Sequence, residues 1–164
     1  MALAPDDPRR AAFGTVGFDR ALPGMTIEAA GDGAAVVRLE VGEAVQNWGG
    51  TLHGGAIATL VDDAGTLAIM SADPEGRPGV TTDLNVSYLS AAPGGSVVLA
   101  RARVLKTGRT LAFVAVDVED ARGRLLAQGR MTKFLGRAGR APAGGPAGGD
   151  PGDVGPVRDA PAGE

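Results

Sequence analysis

The stretch Asn47-Trp48-Gly49-Gly50-Thr51-Leu52-His53-Gly54-Gly55 is a polar, glycine-rich loop that runs straight into an apolar, periodic segment. The first N–H groups of a helix have no partner within it and lie at the positive end of its dipole. Glycine at that point lets another group come close, so such a loop can polarise a carbonyl or hold an oxyanion. The same glycines also suit a tight strand-to-helix turn, and the residue types leave both readings open. Two turns further on stand Asp62 and Asp63. At about 100° per residue they fall on different stripes of a helix. Asp62 shares its stripe with Ala58, Gly65 and Ile69, and Asp63 with Thr59, Thr66 and Met70. A carboxylate among small and apolar residues suits an interface or a site; the alternative is an Asp solvated beside a sheet edge. His53, as a lone histidine before a helix, reads as a capping or packing residue ahead of a catalytic one.

These residues need a frame. Ile57, Leu60, Val61, Ala64, Leu67 and Ala68 recur at the three-and-four spacing of one buried face, which predicts a helix over about Gly54 to Ser71. Asp73-Pro74-Glu75-Gly76-Arg77-Pro78-Gly79 ends it, since Pro and Gly both oppose continuation. Ahead of it, Met25–Ala30 and Ala34–Val41 read as strands around Gly31-Asp32-Gly33, a hairpin signal. After it the period falls to two, and Val80–Leu89, Val97–Lys106, Leu111–Asp120 and Leu125–Leu135 are four further strands. Leu84, Val86 and Tyr88 oppose Asp83, Asn85 and Ser87 across the first of these. Leu111 to Val116 is apolar on both parities, which predicts cover on both faces, or a helix on one and a partner subunit on the other. One helix on an antiparallel sheet of about six strands leaves a second face to cover, so the chain is a candidate oligomer.

Composition narrows the chemistry. The 164 residues include 27 Gly and 11 Pro, unevenly spread: residues 136–164 hold 9 of the Gly, 5 of the Pro and 6 Ala. That segment offers too little apolar surface to offset its ordering entropy and is expected to be a disordered tail. Residues 1–23, Pro-broken and charged, read as an N-terminal arm pinned by Phe13, Val16, Phe18 and Leu22. Residues 24–135 remain as the functional domain. A net charge of −3 argues against a nucleic-acid-binding surface. With no Cys there is no thiolate nucleophile or thiolate metal site, and one His cannot build a multi-histidine zinc site. No Gly-x-Ser-x-Gly elbow and no phosphate loop ending in Lys-Ser or Lys-Thr is present. The first residues lack the order of a signal peptide, and no apolar run reaches the ~18 residues of a membrane span. The expectation is a soluble, cytoplasmic protein with no membrane partner.

The ordered combination Asn47-x-x-Gly50-x-x-His53-Gly54-Gly55 followed by Asp62 resembles the signature of hotdog-fold acyl-CoA thioesterases, in their PaaI-like branch. The resemblance continues through Pro78 to Ser90, through Lys106-Thr107-Gly108-Arg109 to Phe113, and in Ala127-Gln128-Gly129-Arg130. It covers about residues 25–135. It implies an α+β hotdog fold, a sheet wrapped around one long central helix, in homodimers whose sheets join edge to edge and which pair into homotetramers with active sites between subunits.

The resemblance also implies roles by position. The Gly54 N–H would polarise the thioester carbonyl, and Asn47 would orient the water or carbonyl beside it. Asp62, contributed across the dimer interface, would act as general base on water, or as the direct nucleophile. Thr81 stands where relatives often carry Ser and would hold water or substrate. His53 would fix the loop, with a hydrogen bond to the thioester, and Gly55 would be structural. The pantetheine arm would pass Ser90 and the Gly108–Arg109 turn, with Arg109, Lys106 and Arg137 near the phosphates and the acyl group near Ile57, Val61, Leu84 and Leu89. No metal or cofactor is required, because a thioester carbonyl is already activated and fixed donors plus one base suffice. A non-catalytic acyl-CoA-binding protein and a hotdog dehydratase are the alternatives. Retention of Asp62 with Asn47 and Gly54 argues against the first, and the placement of His53 at the helix start argues against the second.

Overall fold

An Asp-Gly turn starts the sheet. In the computed structural model, residues 13–136 are described, and in them Asp32 and Gly33 have φ of 49° and 80°. Two successive left-handed residues make the tight turn whose twist matches that of the flanking strands. They join β1 (Thr26–Gly31) to β2 (Ala34–Glu40), with Gly31 opposite Ala34. The helix α1 (Gly54–Ala72) follows, then β3 (Val80–Tyr88), β4 (Val97–Thr107), β5 (Leu111–Asp120) and β6 (Leu125–Phe134). All pairings are antiparallel and the order across the sheet is β1-β2-β4-β5-β6-β3. After α1 the chain therefore lays β3 on the far edge beside β6, and returns to the middle to build β4.

The helix lies against the inner face of the sheet. Ile57, Leu60, Val61, Ala64, Leu67 and Ala68 are all buried, as their spacing predicts, and Gly65 and Ile69 join them. Opposite them, Val98, Ala100 and Ala102 on β4, Ala112, Val114, Val116 and Val118 on β5, and Ala127 and Met131 on β6 face inward. Small residues set how close the helix sits. A Cβ on Gly129 would collide with the stiff, branched side chain of Val61, so that glycine is required by the approach of helix to strand, whereas one on Gly65 would meet only the flexible end of Met131. At the far end of α1, Asp73 caps the helix and clamps the following loop. Its carboxylate accepts from the Arg77 backbone N at 2.9 Å, from Nε at 3.0 Å and from Nη2 at 2.6 Å. The Arg77 side chain bonded to it holds the Asp73 carboxyl below the usual carboxylate range. By length and composition α1 could cross a bilayer; here half of it is buried in this sheet and it carries Asp62 and Asp63.

Two expectations change. In the arm, a 3-10 turn spans Gly17–Ala21, Leu22 is buried and Phe13 packs on the core. Val16 and Phe18, however, point out at 53% and 73% exposure, so only half of the expected apolar anchors act. On β5, the inner parity is covered but Leu111 and Phe113 on the outer face are open, and with Val80 and Phe134 beside them they form an apolar patch. Ala115 on the same face is buried, so a single copy leaves only that patch uncovered, which fits the alternative of a helix on one face and a partner subunit on the other. The tail expected over 136–164 lies, from residue 137 on, outside the described residues, as does residues 1–12 of the arm.

Candidate active site

The loop before α1 is held by its own side chains. Asn47 Oδ1 accepts from the backbone N of Gly49 at 2.9 Å and of Thr51 at 3.3 Å, and Asn47 Nδ2 donates to Thr51 Oγ1 at 2.9 Å. Asn47 is therefore a loop brace, with one Nδ2 hydrogen left over from these bonds. The loop is tied to the segment after β3, where Leu52 N donates to Ala92 O and Gly94 N to Gly50 O. His53 caps the helix: its Nδ1 accepts from Gly55 N at 2.9 Å, which puts the proton of the neutral ring on Nε2. Taking up the Gly55 N–H in this way leaves the N–H of Gly54, which has no acceptor among the described residues, as a free donor at the helix start. The Tyr88 hydroxyl donates to Gly54 O at 3.2 Å. Beside this point opens a cavity of about 390 Å³ lined by Gly54, Leu52, Ile57, Tyr88, Leu89 and Ser90.

A second cluster lies two turns along α1. Thr81 Oγ1, on the edge strand, donates to Asp62 Oδ1 at 2.6 Å. Lys133 Nζ lies 3.7 Å from the same oxygen. Lys133 is buried on the inner face of β6, directly opposite Thr81 in the β3–β6 register. Burial pushes its ammonium below the ordinary lysine range, and the carboxylates of Asp62 and Asp63 pull it back. The adjacent Asp63 has a buried Oδ2 with no hydrogen-bond partner. Burial, reinforced by the carboxylates of Asp19 and Asp62, raises its pKa to about 7, against the pull of Lys133.

The structure thus brings the expected residues together in two groups: Asn47, His53, Gly54, Gly55 and Ser90 at the start of the helix, Asp62 and Thr81 further along. Eight residues at ~1.5 Å of rise separate Gly54 from Asp62 by about 12 Å along the helix axis. Lys106, Gly108 and Arg109 are elsewhere. Gly33 touches both Val104 and Ala72, and its N–H donates to Ser71 Oγ, so the β4–β5 turn lies at the C-terminal end of α1, away from Gly54. Arg137 is outside the described residues. Sequence reasoning passed over Lys133, Tyr88 and the packing role of Gly129. For Lys133 a signal was present: Ala127, Gly129, Met131 and Lys133 share one parity of the strand, and that parity faces the helix. Among the described residues no cluster of three or more His, Asp or Glu side chains could hold a metal ion.

Comparison with known proteins gives the family. The model of the thioesterase superfamily matches residues 49–127. Acyl-coenzyme A thioesterase 13 of Mus musculus is 44% identical over 125 residues, covering 76% of this chain and 89% of that protein. Its Homo sapiens counterpart is 45% identical over 120 residues, covering 73% and 85%. Among solved structures, zebra fish thioesterase superfamily member 2 superposes with a TM-score of 0.74 at 46% identity, covering 78% of this chain and 96% of that one. A hypothetical thioesterase of Streptococcus pneumoniae TIGR4, solved with coenzyme A, gives 0.67 at 30% identity, covering 71% and 88%. With this sheet and helix, and with relatives at this identity over most of their length, the chain belongs to the thioesterase superfamily, as one of its hotdog-fold members.

Proposed function

We propose that this protein hydrolyses acyl-CoA thioesters to a free carboxylic acid and CoA, at a site completed by two copies of the chain. The observation that carries the reading is the Asp62 carboxylate, bonded through one oxygen by Thr81 and Lys133 on a helix whose free N-terminal donor is Gly54. The activity named for the mammalian relatives supports the substrate class. Asp62 removes a proton from water as the water oxygen attacks the thioester carbonyl carbon. The developing oxyanion is held by the Gly54 N–H at the positive end of the helix dipole. Collapse of the tetrahedral species breaks the C–S bond, and the departing thiolate takes the proton that Asp62 removed, which restores the carboxylate and leaves acid and thiol. His53 keeps the Gly55 N–H occupied, and Asn47 keeps the loop in shape while offering its remaining Nδ2 hydrogen to the carbonyl.

The separation along one helix is too large for Asp62 and Gly54 to serve one carbonyl in the same chain. Edge-to-edge pairing of β3, an edge strand of the sheet, with β3 of a second copy would let one site take the two from different subunits. The open edge carries Val80, Leu84 and Tyr88, each more than a third exposed, and an exposed apolar edge strand needs cover. The outer apolar patch of Leu111, Phe113 and Phe134 supports pairing of such dimers into a tetramer. The same arrangement would let one CoA run past Ser90 of one copy and Lys106, Gly108 and Arg109 of the other, with the acyl group in the cavity at Ile57 and Leu89.

The test is thiol release from a panel of short, long and aromatic acyl-CoAs by the purified protein, with Asp62→Asn and Asp62→Ala alongside. Turnover of at least one member, lost in both variants, is the expected result. No turnover of any member, or turnover indifferent to both substitutions, would overturn the reading.

A further inference from the structure

We propose that Lys133 is a positioning residue for the hydrolysis: it grips one oxygen of Asp62 together with Thr81, so that the other oxygen is turned toward the attacking water. The inference rests on the reading of Asp62 as the base. Three observations carry it. Lys133 is 5% exposed, on the strand face that packs against the helix. Its Nζ and the Thr81 hydroxyl converge on the same atom, Asp62 Oδ1, at 3.7 and 2.6 Å. The two are cross-strand partners on β6 and β3, so the pair of contacts is set by sheet register and not by flexible surface side chains.

A buried ammonium is costly, and it persists where a carboxylate compensates it. Core stability alone would be served better by an apolar residue here, as Met131 shows at the preceding inward position of the same strand. The charged groups facing Asp62 are Lys133 from β6 and Asp63 from α1, with Asp19 of the arm behind Asp63; β3 contributes the uncharged Thr81. Lys133 is thus the cation that faces Asp62. Its charge sits 3.7 Å from Oδ1 and fixes which oxygen remains available. Thr81 alone could orient the carboxylate, but it brings no charge to Asp62.

The experiment is kcat and KM against pH for the parent, Lys133→Met, Lys133→Arg and Asp62→Asn, with a melting curve for each. Lys133→Met should lower kcat with little change in KM, and should move the acidic limb of the profile upward by about one pH unit or more. Lys133→Arg should bring the limb most of the way back, because charge and not shape is the requirement. Lys133→Gln gives an independent reading if Lys133→Met fails to fold: it removes the charge but keeps a polar end, and should move the limb upward as well. An unmoved limb in Lys133→Met, or in Lys133→Gln where Lys133→Met does not fold, overturns the assignment of Lys133 and leaves Asp62 as base. Full turnover in Asp62→Asn would remove the base itself, and the role of Lys133 with it.

Discussion

The Thr81 hydroxyl on the edge strand donates a 2.6 Å hydrogen bond to the carboxylate of Asp62 on the helix. This bond fixes a side chain that is otherwise more than a third exposed, and it links the site to the strand that a second copy would cover. A hydrogen bond to a charged group contributes about 1.5–3 kcal/mol. Thr81→Val keeps the shape and loses the donor, so kcat should fall by roughly ten- to a hundred-fold with the fold intact. Thr81→Ser keeps the donor and should stay within a few-fold of the parent. Steady-state rates on one acyl-CoA, with circular dichroism as control, check both.

Asp63 should make stability depend on pH in a direction unusual for an aspartate. Its folded-state pKa is raised from 3.8 to about 7, first by burial and then by Asp19 and Asp62. Between about pH 4 and 7 the folded chain therefore holds a proton that the unfolded chain has released. Stability from this group is full below pH 4, falls as pH rises through that window, and stays lost above it. Asp63→Asn removes the penalty. It should gain roughly 2 kcal/mol over the parent at pH 8 and little or nothing at pH 4, the gain being reduced because an amide leaves a polar atom unpartnered in the same place. Urea unfolding of both proteins at the two pH values measures this.

Gly129 sets the distance between β6 and α1, since a Cβ there would meet the side chain of Val61. Gly129→Ala should cost about 1–3 kcal/mol by overpacking. Val61→Ala in the same chain should return part of that cost, because it removes the atoms in the way. Melting temperatures of the two single variants and the double variant give the coupling.

Much of this molecule can be read along the chain because much of it is local. The helix face from Ile57 to Ala68 follows from spacing, the hairpin from Asp32-Gly33, and the β4–β5 and β5–β6 neighbours from short turns. The place of β3 cannot be read in that way: it pairs with β6, some 50 residues on, and is joined to neither of its sequence neighbours in the sheet. That one non-local pairing puts Lys133 opposite Thr81, so half of the Asp62 cluster stayed hidden while Asn47, His53, Gly54 and Asp62 stood out by type and spacing. Val16 and Phe18 mislead for the opposite reason. Hydrophobicity marks them as anchors, yet a short 3-10 turn can bury one side only. The resemblance places Asn47 at the water or carbonyl, and its side chain also braces the loop through Gly49 and Thr51, a second use that depends on loop geometry no spacing reveals.

The claim that one site takes Gly54 and Asn47 from one copy and Asp62 from another has a direct test by subunit mixing. Asn47→Asp and Asp62→Asn are each purified and assayed alone, then denatured together in equal amounts, refolded and assayed again. In a mixed dimer one of the two sites receives both damaged residues and the other receives neither. If both variants are nearly inactive alone and the mixture recovers about a quarter of the parent activity, the site is shared between copies as described. A mixture no more active than its components would contradict it.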